Sequence, residues 1–511
     1  MSGQRLAANA VWNLLPFGLG FILNLAAVSL VVGWIGVDDF GLFGLLAVVL
    51  APLTLANLGF GEATVKFVAE AAHAGDLETA GRYVRTTLAM NLLVGVAGAL
   101  LLAFILPPLA LRVFSLPAQE LPRVTGVLRA IALSWLSNQA AAVFLAVPPA
   151  FQRFRLAALG HAITLTLLAG GGVLGAYIGG LVGYAFGTAG GAAAGVVVWR
   201  TLARRLLPAV SLWPAFDRGA WHRSLRFGGW QAVAQLGTLA ASQAERFLLG
   251  VFLSPGAVGY YNIAQGFEQR MYSAVYKMSE VLFPHFSTLS DVDPARKSGL
   301  LLRASWLLTS LAVCALAPLI PLAAPLLVTW ISPEAGAQAA PVMQALAIAG
   351  ILGCASNASF FFLLGMGDTR GLALLSGVTG IVTIVVALLV LPRWGLPVAG
   401  VAAAAAMIAQ QLCLSAVLLP RRLGAALRPG ALMAALYAPV VAGLAVAALA
   451  FAAGASAVRG WPAVIGGYAA VGLLTAIAIG AISEVMPGRD ERRRDIGTVL
   501  RFLRPRTEGA G

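Results

Sequence analysis

The chain has 511 residues, of which 60% are hydrophobic and 11% charged, against roughly 25% charged in an average soluble domain, so water is not its main solvent. A formal charge of +14 would suit a nucleic-acid partner only if the basic residues shared a soluble face with a recognition motif, and no such domain is present. Three cysteines without CxxC spacing (Cys314, Cys354, Cys413) and four scattered histidines (His73, His161, His222, His285) argue against a disulfide scaffold and a zinc site.

Apolar runs of 18 or more residues, each enough to cross a hydrocarbon core of about 30 Å, recur from Val11 to Val485. They predict an all-α integral membrane protein of about fourteen transmembrane helices. The first eight lie at 9–35, 40–60, 88–110, 124–147, 157–178, 181–200, 227–250 and 258–284. The rest lie at 302–330, 338–365, 371–391, 396–419, 431–454 and 461–485. The first run exceeds a signal-peptide core and lacks a clear cleavage site, so it is kept as a span.

Lys and Arg set the orientation. Only Arg112, Arg123, Arg393 and Arg459 fall in the loops of one face, and the others outside the spans fall on the opposite face, which places both termini in the cytoplasm. Outer loops are roughly fifteen residues or shorter and leave no room for an extracytoplasmic catalytic domain. The chain therefore reads as a transporter and not an enzyme. The stretch 201–226, with Trp213, Phe216 and Trp221 among arginines, reads as an interfacial cytoplasmic linker helix. The expected organisation is an N-terminal lobe (1–200), this linker, a C-terminal lobe (227–420), a final helix pair (421–485) and a basic cytoplasmic tail (486–511).

Gly41-Leu42-Phe43 aligns with Gly259-Tyr260-Tyr261 at an offset of 218, and the same offset carries Gln152 onto Arg370. Each match is a turn between spans, which suggests a duplication with the two copies running parallel.

Polar side chains at bilayer depth cost at least about 2.5 kcal/mol when ionised, so they face a cavity or a partner. The seventh span carries Gln231, Gln235, Thr238, Ser242 and Glu245 at helical spacing, followed by Arg246. The eighth adds Asn262, Gln265, Glu268, Gln269, Arg270, Lys277 and Glu280. Arg129 in span 4, Asn24 in span 1 and Asn57 in span 2 complete the set. These residues predict a hydrated, net cationic cavity suited to a phosphate or pyrophosphate head group. Internal pairing is the competing reading: Glu245 with Arg129 or Arg270, and Glu280 with Lys277. Asp291-Val-Asp293 has the form of a metal-binding DxD but sits in a short loop before Pro294, where a turn is the plainer account. No P-loop occurs, and no cofactor or catalytic residue is expected.

Several stretches together resemble the Wzx-type polysaccharide or O-antigen flippases of the multidrug/oligosaccharidyl-lipid/polysaccharide exporter superfamily. They are Gly41-Leu42-Phe43-Gly44, Leu58-Gly59-Phe60-Gly61, Lys66-Phe67-Val68-Ala69, Gly75-Asp76, and a block from Glu245-Arg246 through Gly259–Ala264 to Phe283–Ser287. The resemblance implies two six-helix lobes around a central cavity lined by helices 1, 2, 7 and 8, plus two C-terminal helices. It also implies alternating access that turns a polyprenyl-pyrophosphate-linked oligosaccharide across a bacterial inner membrane, with polysaccharide polymerase and chain-length proteins as partners. A cation-coupled drug or metabolite antiporter of the same superfamily is the alternative, weakened by the lack of an acidic residue well inside spans 1 to 6. A lipid II flippase is a further one.

Overall fold

The computed structural model describes residues 3–54, 60–208, 210–223, 242–280, 286 and 293–485, and every regular element among them is helical. The longer helices are α1 (Gly3–Val48), α2 (Phe60–His73), α3 (Leu77–Leu100), α4 (Leu121–Leu145) and α5 (Phe154–Leu206). They continue with α6 (Pro255–Glu280), α7 (Pro294–Leu316), α8 (Leu319–Trp330) and α9 (Pro333–Gly365). The last are α10 (Thr369–Trp394), α11 (Val401–Cys413), α12 (Pro429–Ala452) and α13 (Trp461–Val485).

Ten segments among the described residues are long and apolar enough to cross a membrane, which makes this a multi-pass, all-helical membrane protein. Ten segments and fourteen expected spans differ for physical reasons. A straight 53-residue helix would run about 80 Å, far more than a bilayer core. α5 is in fact broken at Gly179 (φ −137°, ψ 23°) and Gly180 (φ 58°, ψ −140°), and α1 at Gly36 (φ 83°, ψ 165°). Each therefore has two arms. The seventh expected span lies largely outside the described residues, and α6 is too polar to count as apolar.

The chain packs as two compact units, one of residues 1–263 with 383–399 and the other of residues 264–382 with 400–511. In the first, the two arms of α5 meet at a glycine seam. Gly175 faces the Gly183 carbonyl and Gly187 faces the Gly171 carbonyl, so closely that no side chain fits between them. Small residues four apart on both arms let the backbones touch, which substitutes for the hydrophobic drive that lipid cannot supply. The expected linker helix is instead an irregular strap over 210–217, with helix resuming at 218. It lies on α3, with a bond of its own from the Trp213 amide to the Ser211 hydroxyl (3.4 Å). Arg85 donates to the Trp213 carbonyl (3.2 Å), Ala215 N–H to the Arg85 carbonyl (3.3 Å), and Asp217 N–H to the Thr86 hydroxyl (3.2 Å).

In the second unit α9 is the central element, buried along most of its length from Ala335 to Leu363. Its C-terminal half packs Phe361 and Phe362 with Leu301 and Leu308 of α7 and Leu432 and Leu436 of α12.

The turns after α4 and α9 share one backbone geometry. After α4, the amides of Phe151, Gln152 and Arg153 bond to the carbonyls of Val147, Pro149 and Pro148, with Gln152 at φ 56°. After α9, Met366, Gly367 and Asp368 bond to Phe362, Leu364 and Leu363 in the same pattern, with Gly367 at φ 71°. The same helix-ending turn closes α2 at Gly75 (φ 74°) and recurs at Ser115 (φ 51°). Gln152 and Gly367 lie 215 residues apart, as do the turn glycines Gly180 and Gly395 (φ 69°, ψ −151°).

Candidate functional site

α6 starts at Pro255, whose missing N–H is no loss in a first turn, and Ser254 Oγ accepts from the Ala257 amide (3.2 Å). Its buried side carries Tyr261, Ile263, Ala264, Phe267 and Val275, and with them Glu268 and Ser279. Its more open side carries Asn262, Gln269, Ser273 and Lys277, of which Gln269 and Lys277 are exposed. Steps of seven, four and four put these on one helical face. A lipid-facing helix carries apolar residues on its open side. This one carries amides, a hydroxyl and an ammonium, with the exposed Met278 beside them.

The other expected residues are distributed as follows. Glu245, on a helix over 242–252, is buried and accepts a hydrogen bond from the Tyr261 hydroxyl (2.8 Å). Arg246 reaches the Gln243 side chain (3.5 Å). Asn262 packs on Gly44, and its Oδ1 is buried without a partner among the described residues. Glu268 lies against Gly350 of α9, with Tyr272 and Cys354 as polar neighbours. Gln265 and Arg270 are half-buried in α6, as is Asn24 in α1. Arg129 is exposed on α4. Lys277 does pair with Glu280 (3.2 Å), but both are exposed, and such a pair holds its lysine weakly. Gln231, Gln235, Thr238 and Asn57 lie outside the described residues.

Of the tyrosines on α6, Tyr261 is committed to Glu245, while Tyr276 stacks near Tyr272 (6.2 Å) and packs on Phe361 (5.4 Å). These rings are packing elements.

Sequence reasoning missed a buried polar set in the second unit. Ser356 donates to Gln411 (2.7 Å) and Asn357 to Ser279 (3.5 Å), linking α9 to α11 and to α6. The signal was Asn357 and Gln411 in two largely apolar spans, which names no partner. It also missed the ion pair of Arg123 with Asp39 in the first unit, supported by Glu120 (3.5 Å). In the second unit Arg422 holds Asp368 (2.9 Å), whose second role is to accept from the Gly371 amide (3.0 Å). The Arg422 guanidinium keeps that carboxyl below the usual carboxylate range.

The family model for a polysaccharide biosynthesis protein matches residues 34–334, more than half of the chain. The chain belongs to this family. Its structure is similar to that of the lipid II flippase MurJ in an inward closed conformation, with a TM-score of 0.69, 14% identity, and coverage of 93% of this chain and 98% of that one. It is similar also to an inward-facing multidrug resistance MATE family transporter of the MOP superfamily, with a TM-score of 0.63, 15% identity, and coverage of 80% and 95%. A MATE bound to MaL6 follows at a TM-score of 0.52 and 14% identity, covering 82% and 96%. No curated protein matches the chain. At these identities the likeness is one of fold. The family match agrees with the polysaccharide reading of the sequence, and the multi-pass helical fold is shared with these structures.

Proposed function

We propose that this family member flips a polyprenyl-pyrophosphate-linked oligosaccharide from the cytoplasmic to the outer leaflet of a bacterial inner membrane by alternating access. The glycan serves O-antigen, capsule or exopolysaccharide synthesis. The observation that carries the reading is the open polar face of α6, which calls for a water-filled path at membrane depth. Arg270 and Lys277 on that helix are the cations for the pyrophosphate, with Asn262 and Gln265 as amide donors toward the sugar. The family description names polysaccharide biosynthesis, and MurJ is named for flipping lipid II; a lipid-linked saccharide satisfies both. The finer topology belongs to the same proposal: fourteen crossings, both termini cytoplasmic, and two six-helix lobes of residues 1–200 and 227–420 followed by a final helix pair. It is supported by the loop distribution of arginine and by the repeated turns.

The test is transfer of a fluorescent polyprenyl-pyrophosphate oligosaccharide across proteoliposomes. Replacing both Arg270 and Lys277 by Ala removes two charge-assisted contacts and is expected to slow transfer about a hundredfold, at about 1.5 kcal/mol each. Equal rates from the folded double variant and the parent would refute the cationic site.

A further inference from the structure

The two arms of α5, joined at Gly179–Gly180, leave a groove of about 450 Å³ along their lipid-facing side. Its floor is the backbone of Gly171, Gly175, Gly187 and Gly191, and Leu174 and Ile178 form a wall. Packing accounts for the floor, because each of those four glycines lies against the backbone of the opposite arm. It does not account for Gly170 and Gly190, which also line the groove. A methyl group at either would meet open space, and glycine in a helix costs about 1 kcal/mol relative to alanine. The fold gives no reason for bare backbone at those two positions; an occupant of the groove does.

Both arms lead from the groove to one basic end. They stay in register beyond it, with Gly195 against Thr164 and Gly160 against Trp199 and Leu202, which brings Arg155 level with Arg204 and Arg205. Arg155 precedes Thr166 of the groove by eleven residues, and Arg205 follows Ala194 of the groove by eleven. Eleven residues are about three helical turns, so both arginines share the face of the groove. Arg155, Arg204 and Arg205 are exposed, and α5 carries no acidic residue. Between Arg155 and the groove the first arm exposes Leu159 and Ile163, an apolar track. At the same end Arg200 stacks on the exposed ring of Trp213 (5.3 Å), an aromatic of the kind that sits at head-group depth.

We infer that this groove binds the tail of a polyprenyl phosphate carrier lipid, with the phosphate on Arg155, Arg204 and Arg205. The choice of a polyprenyl tail rests on the transport reading above, and length supports it. Arg155 to Thr166 spans about 16 Å of helix and Arg155 to Ile178 about 35 Å, whereas the hydrocarbon of one leaflet is about 15 Å deep. An ordinary acyl chain anchored by its phosphate at these arginines ends where the groove begins, and a polyprenyl chain runs on through it. Charge selects a lipid over a second copy of the chain, because two copies meeting on this face in the same orientation would bring their arginines together.

The test uses the full chain in nanodiscs of neutral phospholipid, with a polyprenyl monophosphate that carries a photoreactive group at the far end of its tail. Illumination should attach the probe within residues 166–194, read by mass spectrometry of the digested protein. Gly170→Leu with Gly190→Leu fills the groove where there is room for the side chains, and should lower attachment about tenfold. Arg155→Gln, Arg204→Gln and Arg205→Gln together should lower it about as much. Attachment only elsewhere, or attachment at the parent's level in either folded variant, overturns the proposal. Displacement of the probe by phosphatidylglycerol as readily as by unlabelled polyprenyl phosphate also overturns it, since the site is then one for phospholipid. A disulfide between two chains through Gly170→Cys, in a chain without Cys314, Cys354 and Cys413, does the same by giving the groove to a second copy. If the probe attaches as expected while no form of the protein moves the lipid-linked oligosaccharide, the groove stands and the transport reading fails.

Discussion

α5 and α6 both run through the bilayer region, yet they present opposite surfaces. The open side of α5 is hydrocarbon, with Leu174, Tyr177 and Ile178 more than half exposed, and its inner side is bare glycine backbone. α6 reverses this, with aromatic and aliphatic residues inside and Asn262, Gln269, Ser273 and Lys277 on the open side. The contrast teaches that exposure in a membrane protein has two meanings, lipid for one helix and water for the other, and that side-chain chemistry tells them apart.

The comparison breaks most severely at the seam of α5. Gly175→Leu would drive a side chain into the Gly183 backbone, which has no rotamer to yield, and should cost upwards of about 3 kcal/mol. Loss of the folded monomer in detergent, by size-exclusion chromatography, is the expected result. Next in size is the exchange of surfaces. Leu174→Lys puts a charge toward lipid and should cost about 2.5 to 3.5 kcal/mol of insertion energy, whereas Lys277→Leu should leave thermal stability nearly unchanged and slow transport. Equal effects on stability would erase the distinction between the two helices.

Smaller effects sharpen the account in the second unit. Ser356→Ala removes the hydrogen bond to buried Gln411 and should lower stability by about 1 to 2 kcal/mol, measured by thermal unfolding. Arg422→Ala should cost less than about 1 kcal/mol because the pair is partly solvated. Its pH dependence has a definite sign. Asp368 has its carboxyl pKa lowered in the folded state, so the pair's contribution is full above the usual carboxylate value and fades as the pH falls below it. The variant should therefore lose less stability on acidification than the parent.

Much of this was legible in the sequence. Gaps between expected spans at 35–40 and 178–181 contain the breaks at Gly36 and Gly179–Gly180, because an apolar run too long for one crossing must turn where glycine allows it. Spacing put polar residues on α6 but did not separate Gln269 and Lys277, which are exposed, from Glu268, which is buried. What spacing could not reveal is who meets whom. The strap over 210–217 rests on bonds to Arg85 and Thr86 some 130 residues away, a pairing that no local pattern encodes. Gly41 and Gly259 lie against one another, and nothing in a residue pattern says that two such turns touch.

The most direct test of the central claim is a scan of single cysteines, in a chain without its native three, labelled by a hydrophilic maleimide in the membrane. Positions 269, 273 and 277 on α6 should label, and 174 on α5 should not. Silence along the polar face of α6, or labelling of α5 to the same extent, would contradict a water-filled path along that helix and the transport function built on it.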